Sequence, residues 1–176
     1  LLNLWTAMEV LIPIERNGSM SKVVQIANAA STILSCGYIK SLIERLDNQL
    51  YESIGDEYNG LLSDINAGAD LRSHKLLAAI VLSKYSDVFD SICNCLENVP
   101  LCAYRMQQYK DCFSSCDRIK TFYYNHSKRV SWQIMRIYRS RNIIVHDGSA
   151  MPFLGVILQN LHFYIDTIVD KYLEKC

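Results

Sequence analysis

Proline and glycine are both scarce, three and seven residues in a chain of 176. With 50% hydrophobic residues, this excludes a collagen-like, low-complexity or disordered chain. Long apolar runs are missing too. A membrane-spanning helix needs roughly 20 apolar residues, and even "MPFLGVIL" is interrupted by Pro152 and Gly155. No secretory leader is expected, because "LLNLWTAMEV" has no basic head and carries Glu9 within its apolar pattern. The chain opens in mid-pattern without Met, as expected of a piece of a longer protein, its C-terminal part, with additional domains elsewhere. No CxxC pair occurs among Cys36, Cys93, Cys95, Cys102, Cys112, Cys116 and Cys176. Scattered thiols in odd number point away from a disulfide framework and toward a reducing cytoplasm. Neither Cys93 and Cys95 with Cys102, nor Cys112 with Cys116, has a common zinc spacing, so no metal and no other cofactor is expected.

Net charge is also absent, but only as a total. Residues 1–104 hold 7 Lys/Arg against 12 Asp/Glu, residues 105–147 hold 9 against 3, and residues 148–176 hold 2 against 3. A basic segment of this kind suits a polyanion, since Lys and Arg contacts to phosphate dominate nucleic-acid affinity. A solvated basic helix face gives the same count.

What the chain does have is helical periodicity. Leu1, Leu4, Trp5, Met8, Leu11 and Ile12 mark a first helix, ended by Pro13 and "ERNGS". Val23, Ile26, Ala27, Ala30, Ile33 and Leu34 mark a second, stopped at Gly37, and Ile39, Leu42, Ile43, Leu46 and Leu50 a third. "GDEYNG" and "NAGAD" flank a weak segment that reads as a connection. Asp70 or Ser73 is the expected cap of a helix starting near His74, with Leu77, Val81, Tyr85, Val88 and Ile92 inward over one or two helices ending before Pro100. Residues 101–117 are ambiguous. From Ile119 the pattern resumes through Val130, Ile134 and Ile137, with "NHS" at 125–127 a candidate interruption. Gly148 marks a break, Pro152 suits a first turn, and Leu154 to Tyr172 forms the last helix. No period-two alternation appears, so the expectation is an all-α protein: a single helical bundle of five to eight helices, spanning 1–176 as one domain.

One stretch is not helical filler: "RSRNIIVHDG", residues 139–148. Arg carries a permanent charge and a planar fork for phosphate oxygens, and His exchanges a proton near neutral pH. Together they suit phosphodiester chemistry without a metal. Arg141 and His146 are five residues apart, about 140° around a regular helix. They share a site only if the helix ends or distorts between them, and Gly148 makes such an end the expectation. Cleaving RNA through its own 2′-hydroxyl needs a base, an acid and a stabiliser of the charged transition state. One His does not easily serve as both acid and base, whereas two copies in a symmetric dimer do. The bland alternative is a solvated Arg and a His bonded to nearby backbone.

"YRSRNIIVHDG", the long helix after it and "LWTAMEVLI" near the start together resemble the HEPN superfamily, most closely the ApeA-like HEPN domains of bacterial defence proteins. The family motif is Arg, four to six residues, then His, with a polar residue after Arg; here these are Arg141, Asn142 and His146. The resemblance touches about a third of the chain and leaves residues 55–117 unmatched. It implies a compact HEPN-like bundle that forms a homodimer, and a hydrolase of the metal-independent endoribonuclease type serving antiviral defence or acting like a toxin. It implies His146 as the acid–base residue, Arg141 as the phosphate cation and Asn142 as an orienting group, leaving 2′,3′-cyclic phosphate and 5′-hydroxyl ends. RNA is then the substrate, and no membrane is involved. The alternatives are a catalytically inactive HEPN-like module for dimerisation or partner binding, and an RNA-binding helical module without cleavage.

Around the motif, Glu9 is a candidate partner of Arg141 or a partly exposed helix residue. Arg136 and Arg139 are candidate RNA-backbone contacts or plain surface. Tyr138 is a candidate base-stacking residue or a packing one. Asp147 either tunes His146 or caps the next segment. His126 reads as a loop or helix-start residue, His74 and His162 as incidental, Trp5 and Trp132 as core. "FYYNH" at 122–126 offers stacking surfaces or packing.

Overall fold

The computed structural model describes residues 1–15, 19–66, 71–148 and 152–174, and among these the protein is all-α, with no strand. Its helices are α1 (Leu2–Leu11), α2 (Lys22–Ser35), α3 (Tyr38–Ile54), α4 (Asp56–Leu61), α5 (Arg72–Val81), α6 (Ser86–Asn94), α7 (Pro100–Cys112), α8 (Cys116–Asp147) and α9 (Leu154–Leu173), with a 3₁₀ turn at Ser83–Tyr85. They fall into two compact units. A terminal unit takes Leu1–Cys36 and Tyr124–Cys176, both ends of the chain, and a central unit takes Gly37–Tyr123. The described residues between 55 and 117 lie in the central unit.

The terminal unit follows its periodicity closely. Trp5, Met8 and Ile12 of α1, Ile26, Ala27 and Ala30 of α2, Val130, Ile134 and Ile137 of α8, and Ile157, Leu161, Tyr164 and Ile168 of α9 form one buried cluster. Each set recurs at three- and four-residue steps, so each helix turns a single stripe inward. Ala27 and Ala30 have short side chains at an inward position, and α9 packs on both α1 and α2. Burying a side chain such as Ile134 stabilises by about 1.5–3 kcal/mol. Tyr172 Oη donates to the Leu11 carbonyl at 3.2 Å, tying the end of α9 to the end of α1.

The central unit buries Leu46, Leu50, Leu62, Leu76, Phe89, Ile92 and Met106, among others. It also buries charge. Asp47, 4% exposed, accepts from Tyr58 Oη at 2.9 Å and from Arg72 Nε at 2.9 and 3.0 Å. The Arg72 guanidinium lies 4.3 Å from the Tyr51 ring centre and reaches the Asn48 side chain at 3.3 Å. This polar clamp joins α3, α4 and α5. Burial, and then the Asp47 carboxylate, push the Tyr58 hydroxyl well above the ordinary tyrosine range.

Several sequence expectations need correction. The weak segment holds α4, and the ambiguous stretch holds α7, with Pro100 in its first turn. "NHS" does not interrupt α8, which runs unbroken through it, so His126 is mid-helix. Ser73 lies inside α5, whose N-cap is Leu71; Asp70 lies outside the described residues. Pro152 precedes the α9 N-cap, Phe153, instead of entering the first turn.

Candidate nucleic-acid interface

The candidate residues cluster on the second half of α8 and on its C-terminal end. From 124 to 146 the chain has five Lys/Arg and no Asp/Glu. Sustained helicity here owes little to local ion pairs, because no acid stands three or four residues from any of these cations. The buried stripe of Val130, Ile134 and Ile137 holds the helix to its unit instead.

At 100° per residue, two faces separate. Val130, Ile134, Ile137 and Arg141 fall on the inward side, the first three buried and Arg141 partly so. Lys128, Trp132, Arg139 and His146 fall within about 40° of one another on the opposite, exposed side. The helix ends at Gly148, whose φ of 61° is a left-handed conformation suited to glycine, and whose N–H donates to the Ile144 carbonyl at 3.2 Å. That end comes after both motif residues, not between them. The expected convergence of Arg141 and His146 within one copy is therefore not found; they stand about 140° apart on an unbroken helix.

The motif's own contacts are local. Arg141 Nη1 donates to Asn142 Oδ1 at 3.1 Å, both side chains being half-buried, while His146 and Asp147 are exposed at the last turn. Glu9 does not reach Arg141. Its carboxylate accepts from Trp5 Nε1 at 2.8 Å and pairs with Lys22 at 3.1 Å. Tyr138 is partly buried and packs its ring 5.2 Å from Trp5 at the edge of the core, tilted by 48°. Arg136 and Arg139 are exposed, and among the described residues no ion pair engages them.

Sequence reading missed two things. Trp132, expected in the core, is 62% exposed, whereas Trp5 is 1% exposed. The signal was present: Trp132 lies between the inward positions Val130 and Ile134, facing away from both. Lys128 was not singled out, yet its ammonium lies 5.7 Å from the Tyr124 ring centre and 5.3 Å from that of Trp132. Beside this stripe, a small cavity of about 80 Å³ opens between α8 and α9, lined by Gln133, Arg136, Phe153, Val156 and Asn160 among others. Phe153 has a left-handed φ of 65° and is 71% exposed.

The central unit offers an apolar groove of about 600 Å³ whose lining includes Ile39, Leu77, Val81, Phe113 and the exposed His74. It has little polar chemistry to offer. Among the described residues no group of three His, Cys, Asp or Glu is placed to hold a metal ion, and no helix is long and apolar enough to cross a membrane. No family model, curated protein or solved structure matches the chain.

Proposed function

We propose that the protein is a metal-independent endoribonuclease that works as a homodimer in the cytoplasm, with a defence or toxin-like role. The observation that carries this reading is the placement of Arg141, Asn142 and His146 on the last turns of a helix that carries positive charge without any acid for 23 residues. Since one copy keeps Arg141 and His146 on different faces, a working site takes groups from two copies. Exposed Ile143, about 60° from His146 around the helix, gives such a pairing apolar surface to cover.

In the composite site, His146 of one copy takes the 2′-hydroxyl proton. The 2′-oxygen bonds to phosphorus, and the bond from phosphorus to the 5′-oxygen breaks. His146 of the second copy gives its proton to that leaving oxygen. Arg141 neutralises charge on the non-bridging oxygens, and Asn142 holds its guanidinium. The products are a 2′,3′-cyclic phosphate and a 5′-hydroxyl, and DNA, lacking the 2′-hydroxyl, is not cut.

A second reading is a catalytically silent HEPN-like dimerisation module. It is favoured by the Arg141–Asn142 hydrogen bond, which turns the guanidinium onto its own helix. Labelled RNA incubated with the chain and a chelator separates the two. The nuclease reading predicts chelator-resistant cleavage by a dimer, reduced at least 10²-fold in His146→Ala, the usual scale of acid–base catalysis, and lost in Arg141→Ala. An intact dimer with no cleavage supports the silent module. A strict monomer sinks both.

A further inference from the structure

We infer that the exposed face of α8 is a binding track for a single-stranded polynucleotide, with Trp132 as a base-stacking platform and Lys128, Arg136 and Arg139 as phosphate contacts. This rests on the RNA reading above and adds the path the strand takes toward His146.

Four observations converge on this face. First, Lys128, Trp132, Arg139 and His146 lie within about 40° of one another over five turns. Five turns span about 27 Å, at 1.5 Å per residue, enough for several nucleotides. Second, the cations are uncompensated: among the described residues none of Lys128, Arg136 and Arg139 is in an ion pair, and no Asp or Glu occurs from 124 to 146. Third, Trp132 and Tyr124, 62% and 61% exposed, both stand on this helix with the Lys128 ammonium between them. Single exposed hydrophobic side chains are ordinary, but two aromatic rings flanking one cation on an acid-free face form a surface on which a base can stack. Fourth, Arg136 also lines the small, mostly apolar cavity with Gln133, Asn160 and the exposed Phe153, which puts a cation and two amides at the edge of this face.

The pairing of cations with open aromatic faces selects the ligand. Phosphates alone are served by Lys and Arg, in duplex or single strand. Stacking platforms need bases that are splayed out, which single strands supply and a duplex does not. A second copy of the chain is the competing occupant of an exposed tryptophan, and its seating makes Trp132 emission depend on protein concentration.

The chain has two tryptophans, one buried and one open, so long-wavelength emission reports Trp132. The intact chain is titrated with a 12-nucleotide 2′-O-methyl RNA, which cannot be cleaved, with the same-length DNA strand, and with the RNA as a duplex. The track predicts quenching of the open tryptophan by both single strands, and anisotropy-measured affinity about tenfold weaker in Trp132→Ala and in Lys128→Ala/Arg139→Ala, with circular dichroism unchanged. It also predicts that Lys40→Ala, which removes an exposed cation that belongs to α3 and not to this face, binds like wild type, which separates loss of the track from loss of positive charge in general. The inference is overturned if the duplex binds as well as the single strands and Trp132→Ala binds like wild type. It is equally overturned if Trp132 emission changes with protein concentration alone, which assigns the face to a second copy.

Discussion

Asp47 and Arg72 in the central unit, and Arg136 and Arg139 in the terminal unit, are similar groups in opposite settings. The first pair is folded inward, with the Arg72 Nε–H shared between both Asp47 carboxylate oxygens and the Tyr51 ring against the guanidinium. The second pair stands in water with no carboxylate near it in sequence. Where charge serves the fold it is paired and hydrogen-bonded, because an unpaired buried ion is costly. Where it is left without a counter-ion along a helix, the fold gains little from it, and on the proposed reading an RNA strand supplies the counter-charge. On that contrast the functional reading is assigned to the terminal unit.

Substitutions sharpen the contrast. The largest effect is expected at Asp47→Ala, which strands the Arg72 guanidinium and the Tyr58 hydroxyl; removing one member of a buried pair costs about 3–5 kcal/mol. Urea denaturation followed by circular dichroism measures it, and a loss below 1 kcal/mol would break the comparison on the central side. In the terminal unit the matching loss comes from packing: Ile134→Ala leaves a cavity and costs about 2–5 kcal/mol. Phe153→Gly is expected to raise stability by about 1 kcal/mol, since a bulky residue in the left-handed region is strained and glycine is not. Arg139→Ala should change stability by less than about 0.5 kcal/mol, and a larger loss would show the cation serving the fold after all.

A pH effect is the smallest of these. Burial, and then Arg129, hold His126 below the ordinary imidazole value of 6.5. The unfolded chain therefore takes up that proton first as pH falls. Stability should be flat above 6.5, fall as pH drops from there to the folded value, and level off below it. His126→Gln should flatten that part of the profile in thermal melts between pH 5 and 8.

The inward stripes of α1, α2, α8 and α9 were legible in the sequence because each is a plain 3.6-residue repeat. Legibility failed where a signal is local but its cause is tertiary. α4 is six residues long with Gly60 inside it, so propensity alone argues against it; Tyr58 at the Asp47 clamp pins it. Trp132 was assigned by residue type instead of by phase against Val130 and Ile134. Arg141 and His146 were found by spacing, but where α8 stops relative to them is fixed by Gly148 in a left-handed conformation. Of the two readings of Glu9, the structure shows the partly exposed helix residue, with Trp5 and Lys22 satisfying its carboxylate from α1 and α2.

The salt dependence of binding tests the central claim most directly. Each phosphate neutralised on a single strand contributes a slope of roughly −0.7 in log K against log salt. With Lys128, Arg136 and Arg139 engaged, 2′-O-methyl RNA should give the wild-type chain a slope of about −2, collapsing toward zero when all three are replaced by Ala. A wild-type slope near zero, or one that the threefold replacement leaves unchanged, would contradict the account.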